Sequence, residues 1–225
     1  MIRLVLFDID GTLIRSGGAG VRAFGQAFAS AFDAPQATEG VSFSGRTDHA
    51  LLRECLTRIG LETTPENVTR FFDVYTKILQ ELLEVIPGEV CPGVDDWLSA
   101  LKLLPHRPAI GLLTGNIQRG AELKLRRYGL WHHFCFGGYG DDHEDRNRIA
   151  AAAYDRGAQH LGTALRGDEV LVIGDTPHDI TCGRAIQAKV LAVATGAHSV
   201  AELTPHRADW LVQDLRAIGP AEICL

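Results

Sequence analysis

An α/β fold with a parallel sheet and an inserted all-helical domain is predicted by three features of the 225-residue sequence. Short, continuous apolar runs recur along the chain. Helical patterns lie between most of them. One long interval, 17–87, has helical patterns and no convincing strand. Strands alternating with helices imply a parallel sheet covered on both faces, and such strands read as unbroken apolar runs.

The first run is "IRLVLF" at 2–7, ending at two aspartates. The interval after it carries three helical faces. The first holds Val21, Phe24, Phe28, Ala31 and Phe32, and the second Leu51, Leu52, Cys55, Leu56 and Ile59. The third and longest holds Val68, Phe71, Phe72, Tyr75, Ile78, Leu79 and Leu82. All three fit a period near 3.6. Thr64 and Pro65 supply an N-cap and a first helical residue for the third. "SGGAG" at 16–20 and "IPGEVCPG" at 86–93 bracket the interval as hinges or linkers. The expected organisation is a core of 1–16 and 88–225 with a helical domain at 17–87.

The rest of the chain returns to alternation. Val94, Trp97, Leu98 and Leu101 mark a helix over 93–104. "PAIGLL" (108–113) predicts a strand, and 117–128 a helix. "FCFGG" (134–138) predicts a strand and 149–161 a helix. "EVLVIG" (169–174), "KVLAVA" (189–194) and "DWLV" (209–212) predict three further strands.

Composition narrows the function classes. The chain is 46% hydrophobic and 22% charged, ordinary for a globular protein with a sizeable core. A net charge of −6 leaves no broad basic surface, so no nucleic-acid partner is expected. The apolar runs fall short of the roughly 18 residues that span a bilayer, and the N-terminal run is too short and too acidic for a signal peptide. No membrane partner is expected. The five cysteines are scattered without a CxxC pair and read as reduced thiols of a cytoplasmic protein.

Chemistry concentrates at strand ends. Asp8 and Asp10 point the same way from the end of a strand, where α/β sheets bind ligands. Adjacent carboxylates repel and call for a cation or a shared proton. Magnesium fits, since it takes carboxylate oxygens and keeps water and phosphate ligands. Taken alone, the pair also fits an acidic turn at a solvated strand end. "IGLLTGN" ends a second strand in Thr114, Gly115 and Asn116. The Thr114 hydroxyl and nearby N–H groups suit an anion, and Asn116 suits the cap of the next helix. The same residues also make an ordinary strand-to-helix turn. "VLVIGDTPHDI" ends a third strand in Asp175, with Asp179 in the first turn of a helix that starts near Pro177. Plain N-capping by Asp175 or Thr176 is the simpler reading of that segment.

Together, "DIDGT", "LLTGN" and "IGDTPHD", with a helical insertion between the first two, resemble the haloacid dehalogenase superfamily. The similarity spans nearly the whole chain and is greatest to phosphoglycolate phosphatase-like and phosphomutase-like members. It implies a Rossmann-like core with a helical cap and a Mg²⁺-dependent phosphatase acting on a small phosphorylated metabolite. By resemblance, Asp8 is the nucleophile and Asp10 the acid and base. Magnesium is held by Asp8, Asp10 through its backbone carbonyl, and Asp175, with Asp179 nearby. Thr114, Gly115 and Asn116 bind the phosphoryl group. A carboxylate nucleophile and a second carboxyl are what two-step phosphoryl transfer uses.

The family's third motif is usually a lysine, and none lies between Lys124 and Lys189. Lys124 falls too early, inside the helix after "LLTGN". Arg146 is the expected substitute by motif position, with Arg148 second. Either retains a permanent charge for anion binding. The neighbouring acids 141–145 read as a solvated or capping loop. In "VSFSGRTDHALL" (41–52), Gly45 suits an unusual turn and Arg46 a second anionic group of the substrate; alternatively, Thr47 or Asp48 caps a helix and Arg46 is exposed. Asp10 favours phosphate chemistry over carbon–halogen cleavage. Lys77, the lone lysine of the insertion, lacks an activating context for Schiff-base chemistry. A sugar phosphomutase and a non-catalytic phosphate-binding module are the alternatives to the phosphatase.

Overall fold

The computed structural model describes residues 1–225. Its strands are β1 (Leu4–Phe7), β2 (Ile14–Arg15), β3 (Glu89–Val90), β4 (Ala109–Leu113), β5 (Gly137–Gly138), β6 (Val170–Gly174), β7 (Lys189–Val193) and β8 (Trp210–Val212). Its helices are α1 (Ala19–Phe32), α2 (Asp48–Arg58), α3 (Pro65–Val85), α4 (Val94–Leu103), α5 (Gln118–Arg127), α6 (Arg146–Leu161), α7 (Pro177–Ala185), α8 (Val200–Leu203) and α9 (Pro220–Cys224). Six strands form one sheet in the order β5-β4-β1-β6-β7-β8, and every pairing in it is parallel. The six apolar runs of the sequence are these six strands.

The alternation of side chains along β1 explains its unbroken apolarity. Val5 and Phe7 enter one core cluster with Trp97, Leu98 and Leu125. Leu4 and Leu6 enter the cluster on the other face with Ile149, Ala153 and Ile180. A polar residue on either face of β1 would therefore be buried without a partner.

The chain order reverses about β1, with β4 on one side and β6 on the other. Phe7 is in register with both Leu112 and Ile173. The residues that follow the three strands consequently emerge at nearly one level. Open α/β sheets bind ligands at such a switch point.

Between β2 and β3 the chain builds α1, α2 and α3, which share an apolar cluster of their own. Phe24, Phe28, Leu52, Phe71, Tyr75 and Leu79 are all essentially buried there. Phe24 lies 4.6 Å from Phe71 and 5.5 Å from Tyr75, ring centre to ring centre. Thr64 caps α3 by accepting from the Asn67 N–H, and Pro65 opens the helix. Val21 departs from its expected place on the buried face of α1: it is 48% exposed, and Ala19, Ala23 and Ala27 take the inward positions. Small residues let α1 approach α3 closely, and Val21 sits two positions from Ala19 and Ala23 on the opposite side of the helix. The antiparallel β2–β3 pair joins the two ends of this segment. Two residues per strand are too few for a readable pattern. No helix is long and apolar enough to cross a membrane.

Candidate active site

The loops after β1, β4 and β6 and the start of α6 converge on one buried ionic cluster. Carboxylate oxygens of Asp8, Asp175 and Asp179 all lie within 4.8 Å of one another. Arg146 Nη2 stands 2.8 Å from Asp8 Oδ1 and 2.5 Å from Asp179 Oδ1. All four side chains are buried. Burial pushes the Asp8 carboxyl up to about 7; Arg146 opposes the rise, and the charges of Asp179 and Asp10 add to it. Asp175 is raised well above the ordinary carboxylate range, by burial first and then by Asp179 and Asp8. Three carboxylates against one guanidinium leave the cluster short of positive charge. An all-oxygen donor set of this kind fits a hard divalent cation such as magnesium.

Each acid has a local reason for its position. Asp179 forms a capping box at the start of α7, accepting from the Thr176 N–H (2.9 Å) and hydroxyl (2.7 Å). Capping and membership in the acidic group are thus one arrangement, since Asp179 uses one oxygen for Thr176 and the other for Arg146. Asp175 Oδ1 accepts from the Thr12 hydroxyl at 3.0 Å. Its Oδ2 faces Gly11 and Gly196, where a Cβ at either position would collide with it. Gly11 also has φ +87°, which disfavours any side chain there.

Asp10 joins a second network. Its Oδ2 accepts from Lys124 Nζ at 2.6 Å and from Asn116 Nδ2 at 2.8 Å. Lys124 also donates to Asn116 Oδ1 at 2.6 Å, and its side chain is 5% exposed. The Asp10 carboxylate stands outside the group formed by Asp8, Asp175 and Asp179. Thr114 Oγ1 accepts from the N–H and side-chain amide of Asn116. Its own proton has no partner in the protein.

Asn116 does not cap α5, as the sequence led us to expect. Its side chain is committed to Asp10, Thr114 and Lys124. The N–H groups at the start of α5 go instead to Asp48 Oδ2, which accepts from Ile117 at 2.8 Å, and to Asp141, which accepts from Gln118. Asp48 belongs to α2, so a residue of the helical segment caps a helix of the sheet domain. The same loop adds an Asp48 N–H bond to the Gly115 carbonyl (2.8 Å) and a Thr47 hydroxyl bond to the Glu144 carbonyl (3.0 Å). A Cβ at Gly115 would strike the Arg46 backbone, so glycine is what admits this close approach. Burial raises the Asp48 carboxyl to about 6 against the pull of Lys124.

Above these groups lies a cavity of about 420 Å³. Its polar end holds Asp8, Asp10, Thr114, Lys124, Arg146 and Asp175, and α1, α2, α3 and the 43–46 loop close its other end. Arg46 lines it, with its guanidinium 2.6 Å from Glu54. Arg148 is exposed and takes no part. Lys77 is also exposed and outside the cavity. The acids at 141–145 stay out of the acidic cluster: Asp141 accepts from Gln118 at the start of α5, Asp142 pairs with Arg156, Glu144 with Arg53, and Asp145 caps α6.

Sequence reasoning placed Lys124 outside the site and overlooked Thr12, Asp48 as a bridge, and Tyr75 as a cavity residue. Lys124 had a signal. It falls on the face of α5 shared by Gly120, Ala121 and Leu125, all buried, where a charge needs a partner.

The sequence pattern of the haloacid dehalogenase-like hydrolases matches residues 5–193. A protein of Dickeya dadantii (strain 3937) named "Probable phosphatase IndB" is 27% identical over 213 residues, covering 89% of this chain and 84% of its own. Phosphoglycolate phosphatase 1 of Pseudomonas aeruginosa is 26% identical over 230 residues, covering 97% and 79%. The crystal structure of CbbY from Rhodobacter sphaeroides in complex with phosphate shares the fold at a TM-score of 0.70, with 19% identity and full coverage of both chains. Family match, parallel-sheet topology and acidic strand ends agree, and the chain belongs to the haloacid dehalogenase-like hydrolase family.

Proposed function

We propose that this hydrolase is a Mg²⁺-dependent phosphatase that cleaves a small-molecule phosphomonoester through an aspartyl-phosphate on Asp8. The observation that carries the reading is the buried cluster of Asp8, Asp175 and Asp179 with Arg146 against it, beside a cavity of metabolite size. The phosphatase names of the relatives support the same reaction class.

Asp8, Asp175 and, more remotely, Asp179 would hold magnesium, joined by the backbone carbonyl of Asp10. The ion supplies charge neutralisation for the phosphoryl oxygens. The chain's own groups do the rest. Arg146 holds Asp8 in place, and its buried Nε has no partner in the protein. Thr114 has a hydroxyl proton to give to a phosphoryl oxygen. An Asp8 oxygen attacks phosphorus, the ester P–O bond breaks, and the leaving oxygen takes a proton from Asp10. Asp10 then accepts a proton from water, which attacks phosphorus, and the bond from phosphorus to Asp8 breaks to release phosphate. Lys124 and Asn116 restrain the Asp10 carboxylate beside this path. Residues 17–87 act as the lid that excludes water.

The test is phosphate release from 4-nitrophenyl phosphate. Activity should require Mg²⁺, disappear with chelator, and fall by at least about 10³-fold in Asp8→Asn, as expected when an attacking group is removed. Metal-independent turnover surviving in Asp8→Asn would overturn the mechanism.

A further inference from the structure

We infer that the phosphatase proposed above selects an uncharged, largely apolar leaving group. Resting on that reading, the inference concerns the end of the cavity away from Asp8. Phe24, Phe43, Leu51 and Tyr75 line that end. Phe43 packs edge-on against Phe24 at 5.4 Å, and Phe24 continues into the aromatic core of the helical segment. The wall is therefore an outcrop of a packed core and is held rigidly.

Charge at this end is already balanced. Arg46 is 2.6 Å from Glu54, and Arg15 is 2.9 Å from Glu89 while donating to the Thr195 carbonyl. Lys124 is spent on Asp10 and Asn116. Arg146 faces Asp8 and Asp179 through Nη2, at the phosphoryl end. Every cation of the cavity already faces a carboxylate, so a second carboxylate or phosphate on the substrate would have to compete for it, and Asp10 and Asp48 would repel one. A charge buried without a partner is strongly disfavoured. Neutral polar contacts are available instead. Tyr75 is 1% exposed, and its hydroxyl makes no hydrogen bond within the protein, so it can serve a single hydroxyl or ether oxygen of the leaving group.

The deciding experiment compares benzyl phosphate with phosphoglycolate, two alkyl esters whose leaving groups differ in charge, using wild-type protein and Mg²⁺. Benzyl phosphate should have at least about tenfold higher kcat/KM, the scale of an aromatic group transferred into an apolar pocket. Phe43→Ala should raise KM for benzyl phosphate about tenfold. Glu54→Gln, at a surface position, should release Arg46 and raise kcat/KM for phosphoglycolate several-fold. Wild-type kcat/KM for phosphoglycolate equal to or above that for benzyl phosphate overturns this inference alone. Absence of Asp8-dependent hydrolysis of every ester overturns the phosphatase reading and this one with it.

Discussion

Beneath the floor of the cavity the chain buries Asp8 and Asp175 at strand ends with Lys124, Arg146 and Asp179 on the neighbouring helices, whereas the wall buries Phe24 and Tyr75 between helices. The floor is held by pairing. Each charge there is costly to dehydrate and stays only because a specific opposite charge or donor meets it within 3 Å. The wall is held by packing, which is non-directional and depends on volume. One side therefore tolerates almost no substitution, and the other tolerates changes of shape that conserve volume. A protein built this way can keep its chemistry while its choice of leaving group drifts.

The largest effect should come from breaking the floor. Arg146→Met leaves Asp8 and Asp179 without the guanidinium that lies between them. Activity should drop at least about 10²-fold, the scale of losing an electrostatic contact to the reacting group. Stability in urea should fall by about 3–5 kcal/mol, as when one partner of a buried pair is removed. Arg146→Lys, which retains the charge but not the planar fork, should recover much of the stability and less of the activity. Activity within tenfold of wild type in Arg146→Met would erase the distinction between floor and wall.

An intermediate effect is expected where the two regions meet. Burial holds Asp48 at about 6 in the folded protein against an ordinary 3.8. Between those values the folded state binds more protons than the unfolded state, so this group makes stability fall as pH rises through the window. The loss amounts to at most roughly 2–3 kcal/mol, the free energy of holding one proton across that pH interval. Asp48→Asn should flatten the stability profile between about pH 4 and 6 while its side-chain oxygen still accepts from Ile117. Urea unfolding at several pH values measures this, and an unchanged slope would remove Asp48 as the titrating bridge.

The smallest effect should lie in the wall's support. Leu79 is fully buried in the helical core. Leu79→Met conserves volume and should cost under about 1.5 kcal/mol. Its kcat on 4-nitrophenyl phosphate should stay within twofold of wild type. A tenfold loss would show that the wall transmits packing errors to the floor.

Local sequence determined a good deal. The six strands were legible because a strand buried on both faces must be apolar at every position, and the helices because a one-sided burial imposes a 3.6-residue rhythm. Asp8, Thr114 and Asp175 were legible as strand ends for the same reason: the apolar run stops where the chain reaches the site. Tertiary structure decided which charges meet. Arg146 and Arg148 are two residues apart on one helix and point to different sides, so only the packing of α6 could put the first on Asp8 and the second in solvent. Lys124 reaches Asp10 across 114 positions of sequence, Asp48 caps α5 across 69, and Arg46 is neutralised by Glu54 from within its own segment. Periodicity reports which face of an element is buried. It carries no record of what lies opposite that face, and in a buried ionic site the opposite group sets both the charge and the chemistry.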